Sequence, residues 1–363
     1  MKKYLYFGLT TFLVLMQSCT ENQNSEYYGL DDYATVEKYD SHVHINSFNP
    51  DFLEFAKANR FRLLSLNVAA PEYVPIEKQQ DYATEHRKEY ADRLAYTTSF
   101  HIENLDDSTW QEKTIGYLRE SFARGASGVK VWKNIGMEFK DKEGHFVMID
   151  DPRLDPIWDF IEKNNKTLVG HLGEPKNCWL PLDKMTVKND REYFAAHAEY
   201  HMYLHPEFPS YEKQIEARDN MLAKHPGLRF DGAHLGSVEW SLDELAKRLD
   251  KFPNMAVDMA ERISHIQYQT VQDHKKVYDF FIKYQDRLLY STDLVFDDSQ
   301  NPKDFLKHAG EVWKNHWAFF TSDQIMEAPE VSEKFTALHL PRTVIDKLYR
   351  KNAEKWFPSQ VLN

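Results

Sequence analysis

Two histidines one residue apart carry the strongest chemical signal in the chain. The stretch Asp40-Ser41-His42-Val43-His44 lies in a β-rich run, and alternate residues of a strand point to the same face. His42 and His44 therefore project to one side, where two imidazoles can provide half of a metal site. An H-x-H pattern also occurs by chance, so on its own it does not establish metal binding.

Three further residues with metal-binding side chains stand at or near the ends of later β-rich runs. They are His171, His234 and Asp293. If these runs are parallel strands of one barrel, their carboxyl ends meet around a single mouth. A buried polar group is costly there without a partner, and a divalent cation would satisfy several at once. The pattern therefore predicts one metal site built from distant parts of the sequence.

Eight β-rich runs, alternating with helix-like segments, would have to position these residues. The predicted strands are Tyr39–Ile45, Arg62–Ala69, Leu94–His101, Gly128–Trp132, Thr167–His171, Arg229–Leu235, Met255–Glu261 and Arg287–Asp293. Helices are predicted at Ile76–Ala91, Ser108–Arg124, Asp155–Asn164 and Val271–Tyr284, with Ser241 and Glu244 as a capping box that opens another. This order predicts an α/β fold, a (β/α)8 TIM barrel. A doubly wound sheet is the alternative fold, but no glycine-rich phosphate-binding motif follows the first strand.

One connection is much longer than the others. The segment from Glu174 to Tyr211 follows the fifth strand and far exceeds an ordinary loop. We therefore predict a long insertion after strand 5, over residues 175–211, on the face of the barrel where substrate lids lie. Its histidines His197, His201 and His205 have the spacing of one helix face, and we expect them to face solvent or pack in the lid.

The metal pattern resembles that of the amidohydrolase superfamily, in its second, ACMSD-like branch. The resemblance runs from Asp40 to Phe357 and includes Tyr284-Gln285-Asp286-Arg287 and Tyr349-Arg350-Lys351-Asn352-Ala353. It implies that a divalent metal is bound by four residues, His42, His44, His171 and Asp293. It also implies that His234 lies beside the metal, as a further ligand or an electrophilic helper. Zinc suits such an imidazole-rich site best, with manganese or another first-row ion as alternatives.

Several other residues are candidates for contact with substrate. Lys130 and Trp132 share one face of the fourth strand. An ammonium cannot ligate a cation, so Lys130 either contacts substrate or a carboxylate, or bridges a second metal after carbamylation, as in some relatives; His234 is the other candidate for that second position. Arg262, beyond the seventh strand, would clamp a substrate carboxylate or form a structural salt bridge. Glu174 and Trp132 complete the predicted substrate-binding set.

The resulting hypothesis is a metal-dependent hydrolase that uses a metal-activated water to cleave a lactone, ester or amide-type bond of a small molecule. Asp293 would accept the water proton and deliver it to the leaving group, while His234 and the cation polarise the carbonyl. The first alternative keeps the site but makes the chain a non-oxidative decarboxylase of an aromatic or unsaturated acid. The second is an inactive ligand-binding lipoprotein, which the complete ligand set disfavours.

The first 36 residues and the overall charge bear on location and partners. A basic start, an apolar run from Tyr4 to Met16 and then Cys19 predict a lipoprotein-type signal peptide over residues 1–19, with an ordinary cleaved signal as the alternative. Residues 20–36 would be a flexible tether and 37–358 the barrel. We therefore expect an exported bacterial lipoprotein, anchored to a membrane through Cys19 and periplasmic or cell-surface. A net charge of -12 excludes a nucleic-acid partner; the sequence is compatible with an oligomer.

Overall fold

The computed structural model of the chain describes residues 26–71 and 73–358. The predicted signal peptide, with Cys19, lies outside the described residues. The strands are β1 Lys38–Asn46, β2 Phe61–Leu66, β3 Leu94–Thr98, β4 Gly128–Val131, β5 Thr167–Gly170, β6 Arg229–Gly232, β7 Met255–Asp258, β8 Leu288–Leu289, β9 Leu294–Asp297, β10 Ile325–Ala328 and β11 Val331–Thr336. The helices are α1 Asp51–Ala58, α2 Ile76–Tyr90, α3 Trp110–Ala123, α4 Asn134–Met137, α5 Asp155–Lys163, α6 Lys188–Ala196, α7 Tyr211–Lys224, α8 Ala233–Gly236, α9 Leu242–Lys251, α10 Ile263–Tyr284, α11 Pro302–Thr321, α12 Arg342–Asp346 and α13 Asn352–Trp356.

Nine parallel strands form the central sheet, in the order β8-β7-β6-β5-β4-β3-β2-β1-β9. The backbone between β8 and β9 also runs beside β1, because Ser41 N donates to Tyr290 O at 3.0 Å and Asp293 N donates to His42 O at 2.8 Å. β8 and β9 are thus two parts of one interrupted eighth strand that closes the sheet. The predicted TIM barrel is confirmed, and the predicted eighth strand is wrong only in being continuous.

Apolar side chains fill part of the inside of the barrel. Tyr39, Leu64, Val169 and Leu289 belong to one buried cluster, which Trp356 and Phe357 join from the end of the chain. A second, larger cluster lies between the strands and the surrounding helices. Because parallel strands are covered on both faces, their sequences are apolar on both, and the polar side chains at their carboxyl ends stand out.

Each of the eight predicted strands overlaps an observed one, and the predicted helices correspond to α2, α3, α5 and the second half of α10. The capping box is present, since Ser241 Oγ accepts a hydrogen bond from Glu244 N at 3.3 Å at the start of α9. The hairpin of β10 and β11 was not predicted. None of the helices in residues 26–71 and 73–358 combines the length and apolarity that a membrane span requires.

The described part of the segment before β1 is held against the barrel by several of its residues. Leu30–Ala34 forms a 3-10 helix, and Tyr33 is buried in the main core. Tyr28 Oη donates to Asp346 Oδ1 at 2.9 Å, and Trp317 Nε1 donates to Gly29 O at 3.1 Å. Aromatic side chains give this segment apolar surface to bury, so the prediction of a flexible tether is wrong for residues 26–36.

The insertion after β5 consists of short turns around α6, and its histidines do not share one helix. α6 ends at Ala196, and 3-10 turns at Ala198–Tyr200 and Met202–Leu204 follow. His201 is buried, with Nε2 2.8 Å from Leu180 O. The i, i+4, i+8 spacing therefore gave the wrong local structure, although His201 does pack inside the insertion.

Candidate metal centre

β1 and the interrupted eighth strand bring three predicted ligands into contact. His42 Nε2 and His44 Nε2 each lie 3.1 Å from Asp293 Oδ1. Both histidines are buried, as expected for alternate residues on the inner face of β1. Asp293 reaches them because its backbone takes a left-handed conformation, with φ of 69°. That conformation is uncommon outside glycine, and here the hydrogen bond from Asp293 N to His42 O holds it.

His171 and His234 complete the group from β5 and β6. The centres of their two rings are 4.1 Å apart, and His234 Nε2 lies 4.0 Å from Asp293 Oδ2. His234 follows β6 in a tight turn with φ of 59°. The five predicted residues are therefore assembled at one end of the barrel. The atoms of His42, His234 and Asp293 are close enough for one ion.

Hydrogen bonds at the far side of each ring determine which nitrogen is available. His44 Nδ1 lies 2.7 Å from Leu66 O and His234 Nδ1 lies 2.9 Å from Ala260 O. A carbonyl only accepts, so both Nδ1 atoms carry the proton and both Nε2 lone pairs face the centre. His171 Nε2 is buried and has no hydrogen-bond partner among the described residues. A cation at this point would satisfy that orphaned atom, so the residues fit a divalent metal.

Burial and mutual contact shift the pKa values of the group. Burial lowers the pKa of His234 to about 3 and that of His171 well below its usual range, so both rings are neutral. Burial alone would raise the pKa of Asp293, but His42 and His44 hold it well below the usual range. Burial and Lys130 lower the pKa of His42, yet Asp258 and Asp293 raise it to about 9 overall. Metal binding must therefore displace a proton from His42.

Asp258, at the end of β7, contacts two of the predicted site residues and was not among the residues predicted from the sequence. Its Oδ2 lies 2.7 Å from His42 Nδ1, and its Oδ1 accepts a hydrogen bond from His234 N at 2.9 Å. The signal was a single acid closing the apolar run Met255–Asp258. A lone aspartate at the end of a strand has no distinctive sequence pattern.

The five residues form the floor of a cavity of about 630 Å³. Trp132 and Lys130, two of the predicted substrate contacts, line this cavity. Lys130 Nζ lies 3.5 Å from His42 Nε2, and burial lowers its pKa. The other lining residues include apolar and aromatic side chains and several polar or acidic ones: Val68, Tyr73, Val74, Tyr82, Val295, Asn46, Lys133, Asp297, Asp298 and Ser299.

Two predicted substrate contacts lie elsewhere. Glu174 is bonded to Lys133, and it is Lys133, unnoticed in the sequence, that lines the cavity. Arg262 is buried outside the cavity lining, and its Nη1 donates to Glu261 O at 3.0 Å. Burial lowers the pKa of Arg262, but the nearby acids Asp190 and Glu239 raise it overall.

The match of a family model to most of the chain identifies this TIM barrel, with histidines and an aspartate at its strand ends, as an enzyme of the amidohydrolase superfamily, which acts on small molecules. The chain belongs to the amidohydrolase family Amidohydro_2, whose sequence model matches residues 105–359. Enzymes of this family are metal-dependent, and the His and Asp group above is the candidate metal site of this chain.

Solved structures with low sequence identity share the fold. An uncharacterised TIM-barrel protein from Bordetella bronchiseptica has a TM-score of 0.52 and 14% identity, over 88% of this chain and 98% of that one. A 2,6-dihydroxybenzoate decarboxylase from Rhizobium has a TM-score of 0.51 and 15% identity, over 88% and 98%. A protein described as an amidohydrolase II has a TM-score of 0.50 and 15% identity, over 88% and 99%. A search of curated proteins finds no match.

Proposed function

We propose that this protein is a metal-dependent hydrolase that cleaves a lactone, ester or amide-type bond of a small molecule. The observation that carries the proposal is the floor of the cavity, where the Nε2 atoms of His42 and His44 meet Asp293 at 3.1 Å beside the unpartnered Nε2 of His171. In this proposal these four residues hold the ion. Zinc is the metal that imidazole and carboxylate ligands favour, with manganese or another first-row ion as alternatives.

A bound divalent ion supplies Lewis acidity and lowers the pKa of water to about 7. Asp293 is ionised and lies at the centre of the group, so it accepts the proton of the attacking water and returns it to the leaving group. His234 is neutral, with its proton on Nδ1. Its Nε2 therefore offers a lone pair, which suits a metal ligand. Polarising a carbonyl would require a proton on Nε2 instead.

Lys130 and Trp132 contribute to substrate binding in this proposal. Lys130 presents N–H donors within the cavity, and the centre of the Trp132 ring lies 6.2 Å from that of Tyr73. Lys133 lies 5.0 Å from the centre of the Trp132 ring and is fixed by Glu174. Glu174 thus acts on substrate only through Lys133.

Decarboxylation is the second candidate, since a 2,6-dihydroxybenzoate decarboxylase shares the fold. That reaction needs a cationic group that holds the substrate carboxylate. Arg262 was the predicted clamp, and it does not line the cavity. Two lysines, Lys130 and Lys133, line the cavity, and Lys133 is already bonded to Glu174. Because no arginine is among the described residues that line the cavity, we keep hydrolysis as the proposed reaction.

A direct test supplies the purified protein with zinc or manganese, together with a panel of lactones, aryl esters, anilides and hydroxybenzoates. We expect ring-opened or cleaved products from the first three classes. Release of CO2 from hydroxybenzoates, with no hydrolysis in the panel, would instead establish the decarboxylase.

Substitution of Arg262 separates a structural role from a clamp. We expect Arg262→Gln to leave KM within about threefold and to lower the free energy of unfolding by about 1–3 kcal/mol, because Asp190 and Glu239 lose a nearby cation. Arg262→Lys keeps the charge and is expected to recover part of that stability. A clamp would cost about 2–5 kcal/mol of substrate binding, roughly 30-fold or more in KM. Steady-state kinetics and urea unfolding give the two readings.

We also propose that the protein is a bacterial lipoprotein anchored through Cys19, periplasmic or at the cell surface. The basic start, short apolar run and cysteine of residues 1–19 support this. Expression with an alkyne-labelled fatty acid is expected to label the native chain and to leave Cys19→Ala unlabelled and in the soluble fraction. Labelling that persists in Cys19→Ala would contradict the proposal.

A further inference from the structure

One buried carboxylate contacts two members of the candidate metal centre at once. Asp258 Oδ2 lies 2.7 Å from His42 Nδ1, while Asp258 Oδ1 accepts hydrogen bonds from His234 N at 2.9 Å and Ala260 N at 3.1 Å. We propose that Asp258 is a positioning residue, which fixes the proton of His42 on Nδ1 and holds the turn that aims His234 at the metal. The inference rests on the metal site of the proposed function.

The contact with His42 determines which ring nitrogen can bind a metal. Both oxygens of an ionised carboxylate only accept hydrogen bonds, so His42 Nδ1 must donate to Asp258. In the neutral ring that binds a metal, the lone pair is then on Nε2, which lies 3.1 Å from Asp293 Oδ1. Metal-binding histidines commonly have such a partner at the other nitrogen, and its loss typically weakens metal affinity by about 10–100-fold.

The contact with His234 stabilises an unfavourable backbone. His234 and Leu235 have φ of 59° and 57°, a left-handed conformation that is disfavoured for L-residues. Asp258 satisfies the buried N–H of His234, and Ala260 O receives the ring proton from Nδ1 at 2.9 Å. The end of β7 thus holds the backbone and the side chain of His234 together.

The isosteric change Asp258→Asn tests the first of these effects without a change in volume. The N–H groups of His234 and Ala260 are fixed donors, so the single amide oxygen must stay with them. The amide NH2 then faces His42 Nδ1, which has to accept. The proton of His42 moves to Nε2, where it blocks the metal.

Asp231→Asn is the matched control. Asp231 is also a buried acid inside the barrel, on the neighbouring strand β6, and its oxygens have no hydrogen-bond partner among the described residues. Burial and Asp258 raise its pKa well above the usual range. The change therefore keeps the size of a buried side chain on the neighbouring strand and alters no hydrogen bond to His42 or His234.

The experiment measures zinc affinity by competition with a chromophoric chelator, on full-length proteins whose circular dichroism and Tm are recorded. We expect Asp258→Asn to bind zinc about 10–100-fold more weakly than the native chain and Asp231→Asn to stay within about twofold. Equal affinity in Asp258→Asn and the native protein, or an equal loss in Asp231→Asn, would overturn the inference. If the native chain binds no zinc, the proposed metal site itself is wrong.

A second measurement needs no variant at position 258. Nitrogen-15 NMR of ring-labelled histidine in the zinc-loaded native protein, with His42 assigned by the loss of its signals in His42→Gln, is expected to show the proton on Nδ1. A proton on Nε2 of His42, with zinc on Nδ1, would overturn the inference even if Asp258→Asn fails to fold.

Discussion

Removal of the metal is expected to reduce kcat/KM for a hydrolysed lactone or ester by roughly 10³-fold or more, because the Lewis acid and the activated water are lost together. The buried Nε2 of His171 would again have no partner, while the fold would persist on its apolar clusters. The measurement is the rate after dialysis against dipicolinate and after addition of zinc or manganese.

Recovery of the rate when metal is added is the essential control, because a chelator can also inhibit by binding to the enzyme itself. We expect zinc to restore most of the rate, and magnesium to restore little because it prefers oxygen ligands. A stripped protein that retains more than about half of its activity would contradict the metal-dependent account.

Asp293→Asn is expected to lower kcat by about 10²–10⁴-fold, the usual contribution of a general acid–base group. The substitution keeps the size of the side chain and the hydrogen bond from the backbone N–H of residue 293 to His42 O. The side-chain amide, however, cannot accept a proton from water. KM should change little, because the cavity walls are untouched. Steady-state kinetics on metal-loaded protein gives both constants.

The metal content of Asp293→Asn has to be measured with the rate, because Asp293 is also a proposed ligand. Loss of activity at full occupancy assigns the effect to proton transfer. Asp231→Asn serves as the control for a buried amide inside the barrel and should keep its rate. A fully metal-loaded Asp293→Asn protein with native kcat would exclude the proposed role.

The barrel fold and the convergence of the predicted metal-binding residues could be predicted from the sequence, because both depend on regular periodicity. Alternation along a strand placed His42 and His44 on one face, and parallel strands bring their ends to one mouth whatever lies between them. Membership of a family with this architecture then agrees with the pattern. His171 and His234 followed from the same rule, although each lies just past its observed strand.

The predicted substrate contacts that lie outside the cavity lining, Glu174 and Arg262, belong to segments where the backbone leaves regular geometry. Glu261 has φ of 55°, and directly after this turn Arg262 lies near Asp190 of the insertion and outside the cavity lining. No sequence pattern indicates a left-handed glutamate, since the conformation is uncommon for such residues. The role of Asp258 was hidden for a related reason: it depends on contacts with β1 and β6, which only the folded chain brings together.

The most direct test of the account is a crystal structure of the zinc-loaded protein with anomalous diffraction measured on both sides of the zinc edge. We expect one peak about 2.0–2.2 Å from Nε2 of His42, Nε2 of His44 and a carboxylate oxygen of Asp293, with His171 Nε2 directed at it. Elemental analysis of the same protein should give about one zinc per chain. A peak elsewhere, or none among these residues at full zinc loading, would contradict the central claim.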